Sequence, residues 1–261
     1  MTRLEIAGLS VGYRGRTVID GLSLPAISGG GLVTLVGPNG AGKTSLLRAL
    51  AGLVPAGGQV RLDAIALDRL SLRDRARHVA YMPQTLPQGV ALSVLETVVA
   101  ALLASPASVA VASEADAARL ALAQLDAIGA LDLAGRRLDE LSGGQRQLAS
   151  LAQALVRGPR VLLLDEPTSA LDLRHQHEVM DVARDYARRT GAIVIAVLHD
   201  LQAAARISDR VVVLDRGAVA ADGAAIDALT PELLARVWKV RGRIERCSHG
   251  TLQVMVDGIV G

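Results

Sequence analysis

The chain has 261 residues, of which 51% are hydrophobic and 21% charged, and its formal net charge is +2 at pH 7. This length allows one α/β domain or a core with a subdomain, and the apolar content is ample for a large core. The mild charge gives no argument for a nucleic-acid partner, so none is expected, and the single Cys247 excludes an intrachain disulfide. Arg73, Arg75 and Arg77 form the nearest approach to a basic run, and we expect them on a solvated face.

Two alternating segments near the N-terminus, residues 4–7 and 18–24, predict half-exposed strands that pair antiparallel. Tyr13 lies between them in a chain with 2% aromatic residues. A Tyr on such a loop is a candidate to stack on a nucleobase, and it is equally compatible with packing of the turn.

Residues 37–44 fit the phosphate-binding pattern G-x-x-x-x-G-K-[ST] in the context that the pattern requires. A predicted buried strand, 32–36, precedes them, and a predicted helix, 45–51, follows and ends at Gly52. The glycines let backbone N–H groups surround a phosphate, and the helix N-terminus adds its partial positive charge. The alternative is a chance glycine-rich turn. The candidate nucleotide-binding residues are Tyr13, Gly37, Pro38, Asn39, Gly40, Ala41, Gly42, Lys43, Thr44 and Ser45.

Within this loop, Lys43 is expected to reach the β- and γ-phosphates, and the Thr44 hydroxyl is expected to bind Mg²⁺. Two more short strands follow at 59–62 and 78–81, and Pro83 ends the second with Gln84 at its tip.

The next part of the chain changes from strand patterns to helix patterns, which predicts a helical insertion in a parallel-sheet domain. Its apolar run 97–112 is too short for a membrane span of about 20 residues, so we interpret it as a buried or partner-facing helix. The three helices are expected at 92–103, 114–128 and 144–156.

The last of these helices opens with the segment Leu141, Ser142, Gly143, Gly144 and Gln145. A serine and two glycines at a helix start make a second helix N-terminus that is suited to bind a phosphate. As a motif by itself it is also compatible with an ordinary helix cap.

An apolar strand at 161–164 then delivers Asp165 and Glu166 to the edge of the sheet where ligands bind. Asp165 is a candidate to hold the same Mg²⁺ as Thr44, and Glu166 a candidate to orient and deprotonate water. The alternative is a pair of helix-capping acids.

A helix at 171–189 leads to a buried strand at 193–197, which ends near His199. That histidine is either structural or, because it leaves the sheet on the same edge as Asp165, a contact of the γ-phosphate. Strand 210–214 is expected to close the sheet, followed by a helix from Thr230 to Trp238 with Pro231 at its first position. A terminal hairpin is expected from 243–246 and 252–256.

Taken together, these motifs resemble the ATP-binding subunits of ABC transporters across about residues 2–225. The matches are the Walker A loop 37–44, a Q-loop at Gln84, the signature 141–145, Walker B at 161–166, a D-loop ending in Asp172 and a switch histidine at His199. The resemblance implies the fold class, an α/β P-loop NTPase core with a mainly parallel sheet, an N-terminal antiparallel β part and a helical subdomain at about 86–158. Residues 226–261 would form a C-terminal helix and β-hairpin extension.

The resemblance also implies how the residues act. ATP and Mg²⁺ are the expected cofactors, with Glu166, His199 and Gln84 catalytic and Thr44, Gln84 and Asp165 at the metal. Two copies would pair head to tail as a homodimer, so that the signature of one copy contacts ATP on the other, and Asp172 would communicate across the dimer. The expected partners are integral-membrane permease subunits and, indirectly, a substrate-binding protein, with the chain at the cytoplasmic face of the membrane.

The segment from Pro83 to Val98 and the C-terminal tail look most like the ATPases of importers for iron–siderophore, haem or cobalamin. A glycine-arginine pair common in those relatives is replaced here by the run 100–103, which leaves the transported compound open. The alternatives are a soluble ABC-type ATPase acting on nucleic acid or ribosomes, and the ATPase of an exporter with a separate membrane chain.

Overall fold

The structure is a computed structural model that describes residues 2–84, 91–104, 113–169 and 171–260. The strands of the described residues are β1 (Arg3–Tyr13), β2 (Arg16–Ser28), β3 (Leu32–Val36), β4 (Ala56–Leu62), β5 (Ile65–Ala66), β6 (Val79–Met82), β7 (Val161–Asp165), β8 (Ile193–Val197), β9 (Arg210–Asp215), β10 (Ala218–Gly223), β11 (Val240–Arg246) and β12 (Leu252–Ile259). The helices are α1 (Lys43–Ala51), α2 (Leu72–Arg75), α3 (Val94–Leu103), α4 (Glu114–Ala127), α5 (Gly143–Leu155), α6 (Leu173–Thr190), α7 (Leu201–Ile207), α8 (Ala225–Ala228) and α9 (Pro231–Trp238).

A six-stranded sheet in the order β10-β9-β3-β8-β7-β6 forms the centre of the fold. Five of these strands run parallel to one another: β9, β3, β8, β7 and β6. The sixth strand, β10, pairs antiparallel with β9 at the edge. Every residue of β3, β7 and β8 is buried, as expected of parallel strands covered on both faces. Because parallel strands end at one edge of a sheet, the segments after β3, β7 and β8 lie side by side.

The two faces of this sheet carry separate cores, because alternate side chains of a strand point to opposite sides. Val161 and Leu163 of β7 pack with Leu46 and Leu47 of α1 and with the N-terminal strands. Leu162 and Leu164 pack on the other face with buried residues of α5 and α6. This packing of helices on both faces therefore fixes the position of the phosphate-binding loop relative to the acidic end of β7.

The N-terminal strands form an antiparallel sheet in the order β2-β1-β4-β5, which confirms the predicted antiparallel pair. β1 and β2 are longer than predicted, so Tyr13 is the last residue of β1 and pairs with Arg16 across the turn. The aromatic side chain therefore sits at a strand end next to a tight turn.

The three helices predicted after Gln84 are present as α3, α4 and α5. A capping box between Ser93 and Glu96 begins α3, and the part of the predicted apolar run at 105–112 lies outside the described residues. Within the described part of the chain, no helix is long and apolar enough to cross a membrane.

The predicted C-terminal helix and hairpin are also present, as α9 and the pair β11–β12. Thr230 caps α9 and Pro231 occupies its first turn. The hairpin is tied to α7 by Gln202, whose amide donates to Leu252 O at 3.0 Å and accepts from Val254 N at 2.7 Å. The extension thus packs on the helix that directly follows His199.

Two expectations about the fold were wrong. Strand 210–214 does not close the sheet, because the unpredicted β10 pairs with it at the edge. Arg75 is not on a solvated face: it is 8% exposed and donates to Ala49 O at 2.9 Å and Leu67 O at 2.5 Å. The guanidinium is a second donor to Ala49 O, which also accepts from Gly52 N at 3.0 Å, so Arg75 is buried against the C-terminal end of α1.

Candidate functional site

A cleft of about 770 Å³ lies at the carboxyl edge of the central sheet. It brings together the predicted phosphate loop, Tyr13, Glu166 and His199, together with four residues that sequence reasoning missed. Its lining residues are Tyr13, Arg16, Thr17, Val18, Asn39, Gly40, Ala41, Gly42, Lys43, Thr44, Ser45, Glu166, His199 and Arg216.

The phosphate loop has a shape that requires glycine at two positions. Gly37 has a φ of 147°, and a Cβ there would lie 2.1 Å from Leu214 O. Gly42, at φ 104°, is the residue before α1 and lies against Ile19. The loop can therefore pass close to β9 and β2 and lead directly into the N-terminus of α1, where N–H groups suit a phosphate.

Lys43 begins α1 and is 6% exposed. Its ammonium donates to Gly37 O at 2.7 Å and to Pro38 O at 3.0 Å. Burial lowers the pKa of Lys43, and the nearby carboxylates of Glu166 and Asp165 oppose that shift. The loop carbonyls thus hold a cation inside the curve of the phosphate loop, facing the acidic strand end.

Thr44 and Asp165, the two residues predicted to share a metal ion, are in direct contact. Thr44 Oγ1 donates to Asp165 Oδ1 at 2.9 Å, and the carboxylate is 2% exposed. The described residues contain no group of three or more His, Cys, Asp or Glu side chains that could hold a metal by themselves. A hydroxyl and one carboxylate fit Mg²⁺, which prefers oxygen ligands and takes its remaining ones from water and phosphate.

Tyr81 is a site residue that the sequence reasoning treated only as part of a strand. Its hydroxyl donates to Asp165 Oδ2 at 2.8 Å, so both carboxylate oxygens are held, one by Thr44 and one by Tyr81. Burial raises the pKa of Tyr81 to about 12, so the hydroxyl keeps its proton and stays a donor at neutral pH. Its place at the end of β6, next to β7, was the signal that could have found it.

We expect Tyr81→Phe to weaken the Mg²⁺-dependent part of nucleotide affinity by about two- to tenfold, the scale of one typical net hydrogen bond, because Tyr81 acts on the metal only through Asp165. The measurement is a titration of a fluorescent ATP analogue at a series of Mg²⁺ concentrations. Tyr186→Phe is the matched control, because the Tyr186 hydroxyl donates to Pro159 O at 2.8 Å away from the cleft. Equal Mg²⁺ dependence in both variants would contradict a positioning role for Tyr81.

The three predicted catalytic residues also come together. Gln84 Nε2 donates to Glu166 Oε2 at 2.5 Å, and His199 Nε2 lies 2.5 Å from Glu166 Oε1. Glu166 has a φ of 52°, in the left-handed region where a non-glycine residue is strained. The side-chain contacts described for Gln84 and His199 are therefore with Glu166, and their roles toward Mg²⁺ and the γ-phosphate stay predictions.

Tyr13 lines the cleft and has 38% of its surface exposed. Arg16 follows across the turn, and Arg216 reaches the cleft from the turn between β9 and β10. That turn is fixed to the phosphate loop because Gly217 N donates to Ala41 O at 3.0 Å. The Arg-Gly turn directly after strand 210–214 was a signal for this second arginine.

The signature segment lies elsewhere, since none of its five residues lines the cleft. Ser142 caps α5 in a capping box with Gln145, which confirms the interpretation as a helix cap. Ser142 and Gly143 are nevertheless exposed, whereas Leu141 and Gly144 are buried. The D-loop residue Asp172 also lies outside the cleft and caps α6.

The comparisons with known proteins agree with this geometry. The profile of the ABC transporter family matches residues 20–169. The hemin import ATP-binding protein HmuV of Nocardia farcinica (strain IFM 10152) is 44% identical over 242 residues, covering 90% of this chain and 82% of that protein. The iron(3+)-hydroxamate import ATP-binding protein FhuC of Bacillus subtilis (strain 168) is 34% identical over 245 residues, covering 94% and 90%.

Among solved structures, the chain is similar to the ATP-binding cassette MJ0796 in a dimeric post-hydrolysis state bound to ADP and Pi. The TM-score is 0.74 at 26% identity, and the match covers 85% of this chain and 98% of that one. The chain therefore belongs to the ABC transporter family and has the fold of its ATP-binding cassettes.

Proposed function

We propose that the chain is the ATP-hydrolysing subunit of an importer and binds ATP with Mg²⁺ in the cleft at the carboxyl edge of the sheet. The observation that carries the proposal is that Lys43, Thr44 and Glu166 line one cleft at that edge and that Thr44 is hydrogen-bonded to Asp165. A phosphate loop with a buried lysine, a held carboxylate and a second carboxylate beside it are the parts that phosphoryl transfer to water requires.

Each of these side chains has a task that its contacts suit. Lys43 would offset the charge of the β- and γ-phosphates, and Thr44 and Asp165 would hold Mg²⁺, which when bound neutralises phosphate charge. Glu166 would orient the attacking water and accept its proton on a carboxylate oxygen. Gln84 and His199 hold the two oxygens of that carboxylate and so set its direction. The Tyr13 ring would stack on the nucleobase.

We further propose a head-to-tail homodimer, because the cleft has no lining residue from the signature segment. Ser142 and Gly143 are exposed at the N-terminus of α5, an arrangement that suits an anion supplied from outside the chain. A twofold dimer would place this segment over the ATP of the second copy and create two composite sites. The dimeric state of the MJ0796 cassette supports this arrangement.

A second surface suits the membrane subunit. A groove of about 720 Å³ lies between α2, the end of β6, α3 and α5, close to Gln84. Leu72 at its rim is 54% exposed, and its charged lining residues are Arg73 and Arg157. No carboxylate occurs among its described lining residues. A permease segment that offers apolar side chains and a carboxylate would fit this groove.

The names of the relatives support the substrate class. HmuV is named for hemin import and FhuC for iron(3+)-hydroxamate import. For this chain we propose haem or an iron chelate as the transported compound, with a substrate-binding protein as an indirect partner. The chain would then act at the cytoplasmic face of the membrane, held there by permease subunits.

The test is assembly and transport with the membrane subunits in proteoliposomes, comparing uptake of hemin and of an iron hydroxamate. Arg73→Glu should weaken assembly by about tenfold or more, because a carboxylate of the permease would meet a like charge. The ATPase activity of the isolated chain should not change. Arg69→Glu, an exposed neighbour outside the groove, is the control. Unchanged assembly of Arg73→Glu would reject this docking surface.

The substrate class is tested by the uptake measurements. If neither hemin nor the iron hydroxamate is taken up, the proposed substrate class is rejected.

A further inference from the structure

His175, a residue outside the nucleotide cleft, lies directly against the signature segment. It stands in the first turn of α6, and its side chain is 28% exposed. A Cβ at Gly144 would lie 2.2 Å from His175 Cδ2 and 2.3 Å from His175 Cγ. No side chain fits at Gly144 while the ring is in place. The close approach of His175 within the same chain therefore explains why residue 144 is a glycine.

The same ring is held from its other side by Asp172. His175 Nδ1 donates to Asp172 Oδ1 at 2.8 Å, and the backbone N–H of His175 donates to the same oxygen at 2.9 Å. These two bonds from His175, the backbone one first, hold the pKa of Asp172 below its ordinary value. Asp172 therefore has two roles: it caps α6, and it fixes the orientation of the imidazole.

The same two segments also lie close together at Gly143. Leu171 is near enough that a Cβ at Gly143 would be 3.7 Å from Leu171 Cδ2, an ordinary packing distance. The residues that begin α5 and those that begin α6 thus form one packed unit, with His175 between Gly144 and Asp172. Movement of one helix start relative to the other would break either the ring packing or the Asp172 hydrogen bond.

We propose that His175 is a positioning residue for the composite ATP site: it fixes Ser142 and its helix start relative to Asp172. The inference rests on the proposed head-to-tail dimer, in which both segments face the second copy. The segment from Ser142 must meet the second copy's ATP within hydrogen-bond tolerance, so loss of the imidazole costs dimerisation while binding of ATP to the same chain stays intact.

The experiment uses the full chain in a Glu166→Gln background, in which the ATP-bound dimer is expected to accumulate. Dimerisation with Mg-ATP is measured by analytical ultracentrifugation, and binding of a fluorescent ATP analogue and the Tm are measured on the same samples. His175→Ala is expected to weaken dimerisation by about tenfold, within the range of coupling between contacting residues. His175→Asn keeps a side-chain N–H near the position of Nδ1 and should recover part of the loss. His177→Ala, an exposed change on the same helix, should match the parent.

Equal dimerisation of His175→Ala and His177→Ala would overturn the proposal. So would a His175→Ala chain that loses ATP binding or melts well below the parent, since that result assigns His175 a role in stability alone. If His175→Asn loses as much dimerisation as His175→Ala, the hydrogen bond to Asp172 does not matter. That result would contradict the proposal that His175 connects Asp172 to the signature segment. If the Glu166→Gln parent itself fails to dimerise, the composite site of the proposed function is wrong, a result that differs from all of the others.

Discussion

Glu166→Gln should lower ATP turnover by about 10²–10⁴-fold, the usual contribution of a general base. The substitution keeps the size of the side chain, and an amide can still form a hydrogen bond with Gln84 and with His199, which now contact the two carboxylate oxygens. What it removes is the group that accepts a proton from water. ATP binding should survive, because Lys43 and the Thr44–Asp165 pair do not depend on Glu166 for their own contacts.

With hydrolysis blocked, ATP should accumulate between two chains and trap a dimer that size-exclusion chromatography with light scattering detects. Phosphate release gives the turnover, and a fluorescent ATP analogue gives the affinity. Glu232→Gln, an exposed change of the same charge in the first turn of α9, is the control and should keep wild-type turnover. Wild-type turnover in Glu166→Gln would show that another group activates the water.

The second large effect concerns the two halves of the composite site. Lys43→Ala should weaken ATP binding by about 10- to 100-fold, since it removes charged hydrogen bonds to the phosphates, and should never form the trapped dimer. Ser142→Arg should bind ATP in its own cleft, because Ser142 does not line that cleft, and yet fail to dimerise. Each variant alone should therefore be inactive for a different reason.

Mixing the two variants distinguishes a composite site from two independent ones. In a mixed dimer, the intact cleft of the Ser142→Arg chain meets the intact signature of the Lys43→Ala chain, so one site of the two works. Because neither variant dimerises by itself, the mixed dimer is the only one expected, and complete pairing would restore up to about half of wild-type turnover if the sites act independently. Lys43→Met, which keeps most of the buried stem, serves as the control for packing. No recovery in any mixture, or a trapped dimer from Lys43→Ala, would contradict the head-to-tail arrangement.

Local patterns in the sequence were enough to predict most of the elements. The first strand, loop and helix of the site were predicted from local patterns. They are β3, from the apolar run 32–36, the glycine-rich loop, and α1, from the helix-forming residues after the loop. Each of these signals depends only on neighbours within a few residues. Acidic residues after one apolar strand and a histidine after another predicted a shared edge, since parallel strands end together. The cap of α9 and the terminal hairpin followed from Thr230-Pro231 and from a turn between two alternating segments.

Contacts between residues far apart in the chain could not be predicted in this way. The burial of Arg75 depends on carbonyls of α1 and of Leu67, and nothing in the run of arginines distinguishes it from Arg73 or Arg77. β10 at the sheet edge is short and rich in Ala and Gly, so its pattern is weak, and its pairing with β9 places it.

Short runs of residues were therefore enough to identify the family, the motifs that form the cleft and the strands that carry them. Which side chains act together depends on the folded structure. It paired Tyr81 with Asp165, Gln84 and His199 with Glu166, and His175 with Gly144, and it placed Ser142 outside the cleft of its own chain. The physical reason is that hydrogen bonds and packing act over a few ångströms in space, and only the folded sheet and helices bring these distant residues that close.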